Sequence, residues 1–576
     1  RFNMSKNHFK QRGSNILVVA VTRIGDMLQA SPTIAGFKLE NPAAKVTVLV
    51  EKSFAAICDG IPNIDEVIQI DLALINRCLN EDKEGLIEAY KYVDQMIADL
   101  KAKQFDFCIN MSSSSYTAFL IKLLGIEDSR GWISDDEGNR QITTPWARLF
   151  AAFIYHGNRE YNGLNIVDIF RCSAGVKEHP DRLLFNVNEE ARSKAKQLIS
   201  SKFTSTYRSD NGPVICLQAG ASQEKRQWNS RYFAQVSKLL VERLNAKLIF
   251  TGTKSEAPII DQVFAQYSHP NMVSVAGETK LDELAGILEQ ADLLVTGDTG
   301  PMHLSVAVGT PVVSLFLASA LGYETGPYGE GNIVIQPQIA CSPCNPIYTC
   351  STTECHQQIS PELVYELVEM RLKTQAKEVK NITLSSSYAN PSQVAVYVTC
   401  FDEDSFYDMK QINPGKAVGK NGHSARYFEN ARNAYKKLWK EELDGIVSQF
   451  PVNQFSIEKE GLPEDYRVNL ERIVNLSHAG TSLIEQLVGL IRNEQSSANA
   501  LGVISSQMSQ VDRQLEDVGL STPVIGALIR MFVMEKENMQ SEDAESLAWE
   551  MGDLYRTLAM RIEKFERYYE YYAQNN

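Results

Sequence analysis

Two stretches of the sequence combine small residues, cations and a helix start in the way that binding of a phosphate group requires. In the first, LQAGASQEKRQW at residues 217–228, an apolar strand runs into a small-residue loop that is followed by Lys225, Arg226 and Trp228. Small residues let backbone N–H groups face a phosphate, and two cations neutralise a diphosphate. The pattern favours a phosphate site, and a solvated basic turn is the alternative.

The second stretch, GDTGPMHL, follows another apolar strand. Asp298, Thr299 and Gly300 form the predicted turn, the proline that follows occupies the first helical position, and His303 falls in the first helical turn. Backbone N–H groups at a helix N-terminus bind anions, and proline is favoured at the first position of a helix. The pattern indicates a nucleotide-phosphate site whose ligand His303 touches, whereas an isolated histidine at this position would pack or cap the helix.

Two carboxylates follow strands in the same manner. Asp26 lies in VTRIGDMLQASP, where a strand ends and a helix begins. Gly25 allows close backbone approach, and the Asp26 carboxylate is aimed into the space beyond the strand. A plain N-cap is the alternative for Asp26. Glu256, in FTGTKSE, opens another helix and is suited to hold a ribose or sugar hydroxyl, or it is an ordinary acidic first-turn residue.

Four cysteines lie within fifteen residues and have the spacing C-x2-C-x5-C-x4-C: Cys341, Cys344, Cys350 and Cys355. Four thiols this close together can reach one tetrahedral metal ion, so we predict a structural zinc or iron site. Disulfides, or reduced thiols that stabilise a loop, are the alternatives. The short acidic runs of the chain lie outside the predicted phosphate loops, and we expect no catalytic metal.

Apolar, β-branched runs alternate with helical segments twice along the chain, from residue 15 to about 110 and again from residue 214 to 316. Unbroken apolar strands between helices are typical of parallel sheets covered on both faces. The sequence therefore predicts an α/β protein with two Rossmann-like domains, at residues 15–200 and 213–382, which face each other across a cleft. Ligands of such sheets lie beyond the carboxyl ends of the strands.

The remainder of the chain follows a Ser-rich linker at residues 383–393 and, after one strand-like run, is mostly helical. We predict an accessory domain at residues 394–576, suited to recognising an acceptor or to forming a homo-oligomer. The run GKAVGKNG, at residues 415–422, lacks the spacing and the Ser or Thr of a phosphate loop and is interpreted as a flexible turn.

The composition excludes several classes of protein. The chain has 576 residues, enough for three or four packed units, and a formal net charge of −14 that argues against broad nucleic-acid binding. No run approaches the roughly 20 apolar residues that cross a bilayer, so we expect no transmembrane segment. Residues 1–13 contain no apolar signal region, and a cytoplasmic location is expected.

The motifs together, in this order and spacing, resemble glycosyltransferase family 9, the ADP-heptose lipopolysaccharide heptosyltransferases. The resemblance extends over residues 15–372 and also includes the cysteine-bearing segment. It implies a GT-B fold, with an N-terminal acceptor domain and a C-terminal domain that binds a nucleotide sugar. It further implies transfer of a heptose from ADP-heptose, with inversion at the anomeric carbon, to a hydroxyl of a surface glycan or a protein.

The resemblance also assigns roles to individual residues. Gln227 and Asn229 depart from the family pattern, which leaves open whether Lys225 or Arg226 contacts the diphosphate. Asp26 matches the general base, Arg226 the diphosphate contact, Glu256 the donor-binding acid, and Asp298, Thr299, Gly300 and His303 the donor loop.

The physical chemistry of glycosyl transfer agrees with these roles. Positive charge develops on the sugar and negative charge on the departing diphosphate, so a helix N-terminus and a cation stabilise the leaving group without an obligatory metal. Two alternatives remain open: a non-catalytic GT-B scaffold that binds a partner through its helical tail, and a GT-B sugar-nucleotide epimerase.

Overall fold

The computed structural model describes residues 14–80, 83–154, 156–203, 212–345, 347–384, 393–413, 423–446, 462–493 and 497–575. Most of the predicted linker, and the GKAVGKNG turn, lie outside these residues. The chain divides into two compact units. The first contains residues 1–144, 165–337 and 346–415, and the second contains residues 145–164, 338–345 and 416–576.

The first unit begins with a six-stranded sheet. Its strands are β1 (Asn15–Ala20), β2 (Lys45–Glu51), β3 (Glu66–Ile70), β4 (Phe107–Asn110), β5 (Asp128–Ser134) and β6 (Arg140–Ile142). The strand order is β3-β2-β1-β4-β5-β6, and only β6 is antiparallel to its neighbour. Strands β1, β2 and β4 are almost wholly buried, as expected for apolar strands covered on both faces.

The second sheet of this unit has eight strands. They are β7 (Val214–Gln218), β8 (Lys247–Thr251), β9 (Met272–Ser274), β10 (Leu293–Gly297), β11 (Val312–Leu315), β12 (Ile333–Pro337), β13 (Val394–Phe401) and β14 (Tyr407–Gln411). Their order is β14-β13-β12-β11-β10-β7-β8-β9, and β13 and β14 are the antiparallel members. The strand that the sequence analysis grouped with the helical tail therefore pairs with β12 in this sheet.

Both sheets confirm the predicted α/β class with two Rossmann-like halves. In each sheet the strand order reverses at one point, between β1 and β4 and between β7 and β10. The loops that follow these strands diverge and leave a crevice, which is where ligands of such sheets bind.

Helices cover the sheets and form most of the second unit. The helices are α1 (Ile24–Glu40), α2 (Leu72–Leu79), α3 (Lys83–Ala102), α4 (Ser115–Leu124), α5 (Pro145–Phe153), α6 (Ile166–Ala174), α7 (Glu189–Lys202), α8 (Ser230–Leu244), α9 (Ala257–Gln266), α10 (Leu281–Glu289), α11 (Gly300–Ala307), α12 (Gly322–Thr325), α13 (Glu354–Gln357), α14 (Pro361–Lys373), α15 (Ala376–Val379), α16 (Ala425–Asp444), α17 (Glu464–Arg492), α18 (Ala498–Ser521), α19 (Gly526–Glu537) and α20 (Ala544–Asn575). Helix α5 and helices α16 to α20 belong to the second unit.

A buried carboxylate joins α6 to the second sheet within the first unit. Asp168 is fully buried, and its Oδ1 accepts hydrogen bonds from Arg171 Nε and from Tyr328 Oη, each at 2.9 Å. Its Oδ2 accepts the backbone N–H of Tyr407, in β14, at 2.9 Å. The hairpin of β13 and β14 is thereby tied to a helix that packs on α1.

The helical unit has an aromatic core and a buried charged cluster. Trp439, Tyr435 and Tyr555 are among its fully buried side chains. Arg561, only 3% exposed, pairs with Glu442 and Glu535 at 2.6 Å and so joins α16, α19 and α20. Among the described helices, none alone is long and apolar enough to cross a bilayer; α18 and the following segment up to the end of α19 meet that test only as a bent pair.

Candidate active site

The reversal point of the second sheet brings the two phosphate-binding motifs together. Arg226 follows β7 and Asp298 follows β10, and these strands are neighbours. Arg226 Nη1 lies 3.3 Å from Asp298 Oδ2, while its Nε and Nη2 donate to Ser319 Oγ at 3.2 and 2.9 Å. The guanidinium is therefore held over the turn that precedes α11, with a defined orientation.

Asp298 is a carboxylate in a protected environment. Its side chain is 12% exposed, and burial raises its pKa above the ordinary aspartate value, an effect that the positive charge of Arg226 opposes. The negative charges of Glu324 and, to a lesser extent, Asp26 also raise the pKa of Asp298. Asp298 therefore lies among other acidic groups and beside a cation that its neighbours hold in place.

Lys225 points away from this cation, although it is its neighbour in sequence. Its Nζ donates to the carbonyl of Tyr348 at 2.7 Å, and its own carbonyl lies 2.9 Å from His356 Nε2. The buried Trp228 also donates from Nε1 to the carbonyl of His356, at 3.4 Å. Lys225 and Trp228 therefore support the cysteine-bearing segment, and Arg226 is the basic side chain that faces Asp298.

The N-terminus of α11 opens at the same point. Thr299 precedes the helix, and its hydroxyl lies 3.0 Å from that of Thr296 while making no capping bond to the helix. The first-turn N–H groups are therefore not capped by Thr299. They add positive electrostatic potential beside Arg226, which suits an anionic group.

Glu256 lies beside the loop that follows β7. Its Oε2 accepts the backbone N–H of Thr253 at 2.7 Å, and Gln218 Nε2 lies 3.3 Å from its Oε1. A Cβ atom on Gly220 would lie 2.0 Å from Oε1, so only glycine lets the loop pass this close to the carboxylate. Glu256 closes the capping box of the 3-10 turn Lys254–Glu256, which precedes α9, and also faces the small-residue loop.

Asp26 lies in α1, which follows the first strand of the first sheet, and it reaches the same region. It lies in the first turn of α1, partly buried, and its Oδ2 accepts the backbone N–H of Arg23 at 3.2 Å. Burial raises its pKa, and the backbone bond and the charge of Arg23 oppose the increase. Gly25, next to it, lies against His303 of α11: a Cβ atom on Gly25 would lie 3.1 Å from His303 Cδ2.

The structure thus gathers most of the predicted site residues at the carboxyl ends of the two sheets. Asp26, Arg226, Asp298, Thr299, Gly300 and His303 meet there, Glu256 lies beside the β7 loop, and Lys225 is turned away. The sequence analysis missed Ser319, which orients Arg226. Its position shortly after β11, at the same edge of the sheet, is the signal that would have identified it.

The predicted four-cysteine metal site is not supported. Across the residues that the structure describes, no three Cys, His, Asp or Glu side chains are grouped so that they could hold a metal ion. Cys341 and Cys350 are exposed, Cys344 is partly exposed, and Cys355 is buried, so the four side chains do not share one environment. Cys350 instead accepts the backbone N–H of Thr353 at 3.3 Å, a bond that lowers the pKa of its thiol.

Parts of the chain are similar to known proteins. The model of glycosyltransferase family 9 (heptosyltransferase) matches residues 93–355. Lipopolysaccharide heptosyltransferase 3 of Escherichia coli is 24% identical over 298 residues, which are 51% of this chain and 81% of the relative. Lipopolysaccharide core heptosyltransferase OpsX of Haemophilus influenzae is 23% identical over 332 residues, 57% of this chain and 85% of the relative.

The chain is also similar to a solved structure, that of a family 9 glycosyl transferase from Veillonella parvula DSM 2008. The two sequences are 21% identical, the match covers 62% of this chain and 97% of the other, and the TM-score is 0.49. The sequence relatives and the family match agree with each other. The chain is therefore a glycosyltransferase, and its residues 93–355 match the model of glycosyltransferase family 9.

Proposed function

We propose that the protein transfers a heptose from ADP-heptose to a hydroxyl of a glycan or protein acceptor, with inversion at the anomeric carbon. The observation that carries the proposal is the convergence of Arg226 with the N-terminus of α11 at the reversal point of the second sheet. The names of the sequence relatives, which are lipopolysaccharide heptosyltransferases, support heptose as the sugar and a lipopolysaccharide core as the first acceptor to test.

In this proposal the diphosphate of the donor lies between Arg226 and the first turn of α11. The C1–O bond of the donor breaks, and its electron pair passes to the β-phosphate oxygen of ADP. Arg226 and the helix N–H groups stabilise that negative charge as it develops, which is the largest contribution that a preorganised site makes. Glu256, beside the β7 loop, holds a hydroxyl of the ribose or of the sugar.

Asp26 acts as the general base. The acceptor oxygen forms the new bond to C1 on the face opposite to ADP, and its proton passes to the Asp26 carboxylate. The raised pKa of this carboxyl makes its ionised form a stronger base than an ordinary aspartate. The acceptor enters from the side of the first sheet, because Asp26 lies in α1, the helix that follows β1 of that sheet.

The proposal assigns one role to each part of the chain. Residues 15–200 provide the acceptor side and residues 213–382 the donor side. The helices that follow residue 424 form an accessory domain whose partner is the acceptor or a second copy of the chain.

The test is release of ADP from ADP-heptose by the full chain, with heptose-deficient lipopolysaccharide core as the acceptor. We expect acceptor-dependent release by the wild type, and a loss of turnover with retained ADP-heptose binding in Asp26→Asn. Binding of UDP or GDP in preference to ADP would retain the reaction type and contradict ADP-heptose as the donor. Conversion of the donor without any acceptor would favour the epimerase, and no nucleotide binding at all would favour the scaffold.

A further inference from the structure

The helix that carries Asp26 touches the helix of the donor loop at one narrow contact. A Cβ atom on Gly25 would lie 3.1 Å from His303 Cδ2, 3.7 Å from His303 Nε2 and 4.0 Å from the Cα atom of Gly300. Ile24 lies on the other side of the contact, since a Cβ atom on Gly300 would be 3.8 Å from its Cγ2. The first turns of α1 and α11 are therefore packed against each other through a glycine.

His303 is built into this contact rather than exposed to solvent. His303 is 4% exposed, and its Nδ1 has no hydrogen-bond partner among the residues that the structure describes. Burial also lowers the pKa of His303 to about 4, so the ring is neutral near pH 7. A buried, neutral ring acts through its shape and its hydrogen bonds and not through charge.

The position of the contact matters because Asp26 is the next residue after Gly25. A shift of the first turn of α1 relative to α11 moves the Asp26 carboxylate relative to anything bound at the N-terminus of α11. A general base works only within hydrogen-bond reach of the proton it takes. Misplacement by about 1 Å costs up to about a hundredfold in rate.

We propose that Gly25 and His303 are positioning residues, whose contact sets the distance between the Asp26 carboxylate and the donor. The inference rests on the proposed function, because it takes Asp26 as the base and α11 as the donor site. It assigns to His303 a packing role against α1 in addition to any contact with the donor.

The test is Gly25→Ala in the full chain. The added methyl group meets His303 Cδ2 at 3.1 Å, so the ring or the helix must move by a few tenths of an ångström. We expect kcat for heptose transfer to fall about three- to tenfold, while the Kd for ADP changes less than about twofold because Arg226 is untouched. The thermal midpoint should not fall, because alanine is a better helix former than glycine.

Two further variants complete the experiment. His303→Ala removes the ring that the methyl group would meet, so adding Gly25→Ala to His303→Ala should cause little further loss of kcat. Ser193→Ala, at an exposed position of α7 in the first unit, is the control and should leave kcat unchanged. The split between kcat and ADP binding, together with this non-additivity, is what a merely structural role would not produce.

The outcomes distinguish failure of the positioning role from failure of the proposed function. If the wild type transfers heptose and Gly25→Ala has the wild-type kcat, or if the two substitutions multiply independently, the positioning role is wrong and the proposed function stands. If the wild type transfers no heptose while binding ADP, the proposed function is overturned, and the positioning inference with it.

Discussion

Two adjacent cations have different environments, and this difference gives a sharp test of the donor site. Arg226 lies 3.3 Å from Asp298 at the N-terminus of α11, whereas the ammonium of Lys225 is bonded to the carbonyl of Tyr348. Substitution of either by glutamine removes one positive charge at nearly the same place in the chain. Long-range electrostatic effects on an anionic ligand are therefore similar in the two variants.

The direct contact with the ligand is what distinguishes them. A hydrogen bond to a charged group contributes about 1.5–3 kcal/mol, and about 1.4 kcal/mol corresponds to a tenfold change in affinity. Arg226→Gln should therefore weaken ADP binding about ten- to hundredfold. Lys225→Gln loses only an exposed bond to a carbonyl, and the affinity for ADP should fall less than about threefold.

The assay is isothermal titration calorimetry of the full chain with ADP, at one pH and one salt concentration for all variants. Arg226→Lys keeps the charge but not the planar fork, and its affinity should lie between those of the wild type and Arg226→Gln. The reasoning is refuted if Lys225→Gln weakens ADP binding as much as Arg226→Gln does, since the diphosphate would then contact Lys225 instead.

Two further predictions concern the base and the fold. Because burial raises the pKa of Asp26 and only the ionised form accepts a proton, the acid limb of kcat/KM should lie above the 3.8 of an ordinary aspartate. Arg23→Gln removes a charge that lowers this pKa, so it should move the limb to still higher pH. An unchanged pH–rate profile would contradict Asp26 as the base. Asp168→Asn leaves Arg171 buried without its counter-charge, so chemical denaturation should show a loss of about 3–5 kcal/mol in the free energy of unfolding of the first unit. Tyr328→Phe should lower the same free energy by about 1 kcal/mol. Equal effects would show that the ion pair contributes no more than a neutral hydrogen bond.

Local sequence patterns predicted which loops lie close together, because each motif follows a buried strand. Parallel strands place their carboxyl ends at one edge of a sheet, so the loops that contain Arg226 and Asp298 had to be close once β7 and β10 were neighbours. Which of the two cations faces the site was not predictable. That choice depends on Ser319 and Tyr348, which are about 90 and 120 residues away in sequence and carry no motif.

Long-range pairing also explains why the sequence did not predict which domain β13 and α5 belong to. The strand at Val394–Phe401 is followed by helices, yet its partner is β12, which precedes it by more than fifty residues. Helix α5 lies within the predicted domain at residues 15–200, yet its Trp146 Nε1 donates to Asp444 Oδ1 in α16 at 3.1 Å. Such contacts depend on surfaces that form only after the local elements have folded. The cysteine spacing predicted a metal site that the described residues do not support, since spacing alone does not fix where thiols point.

The most direct test of the donor site is a crystal structure of the full chain with ADP. The account predicts that the diphosphate lies between the Arg226 guanidinium and the first turn of α11, with the Asp26 carboxylate facing the side on which the sugar would be attached. ADP bound elsewhere on the chain, or a diphosphate held by Lys225 with Arg226 still paired only to Asp298 and Ser319, would contradict it.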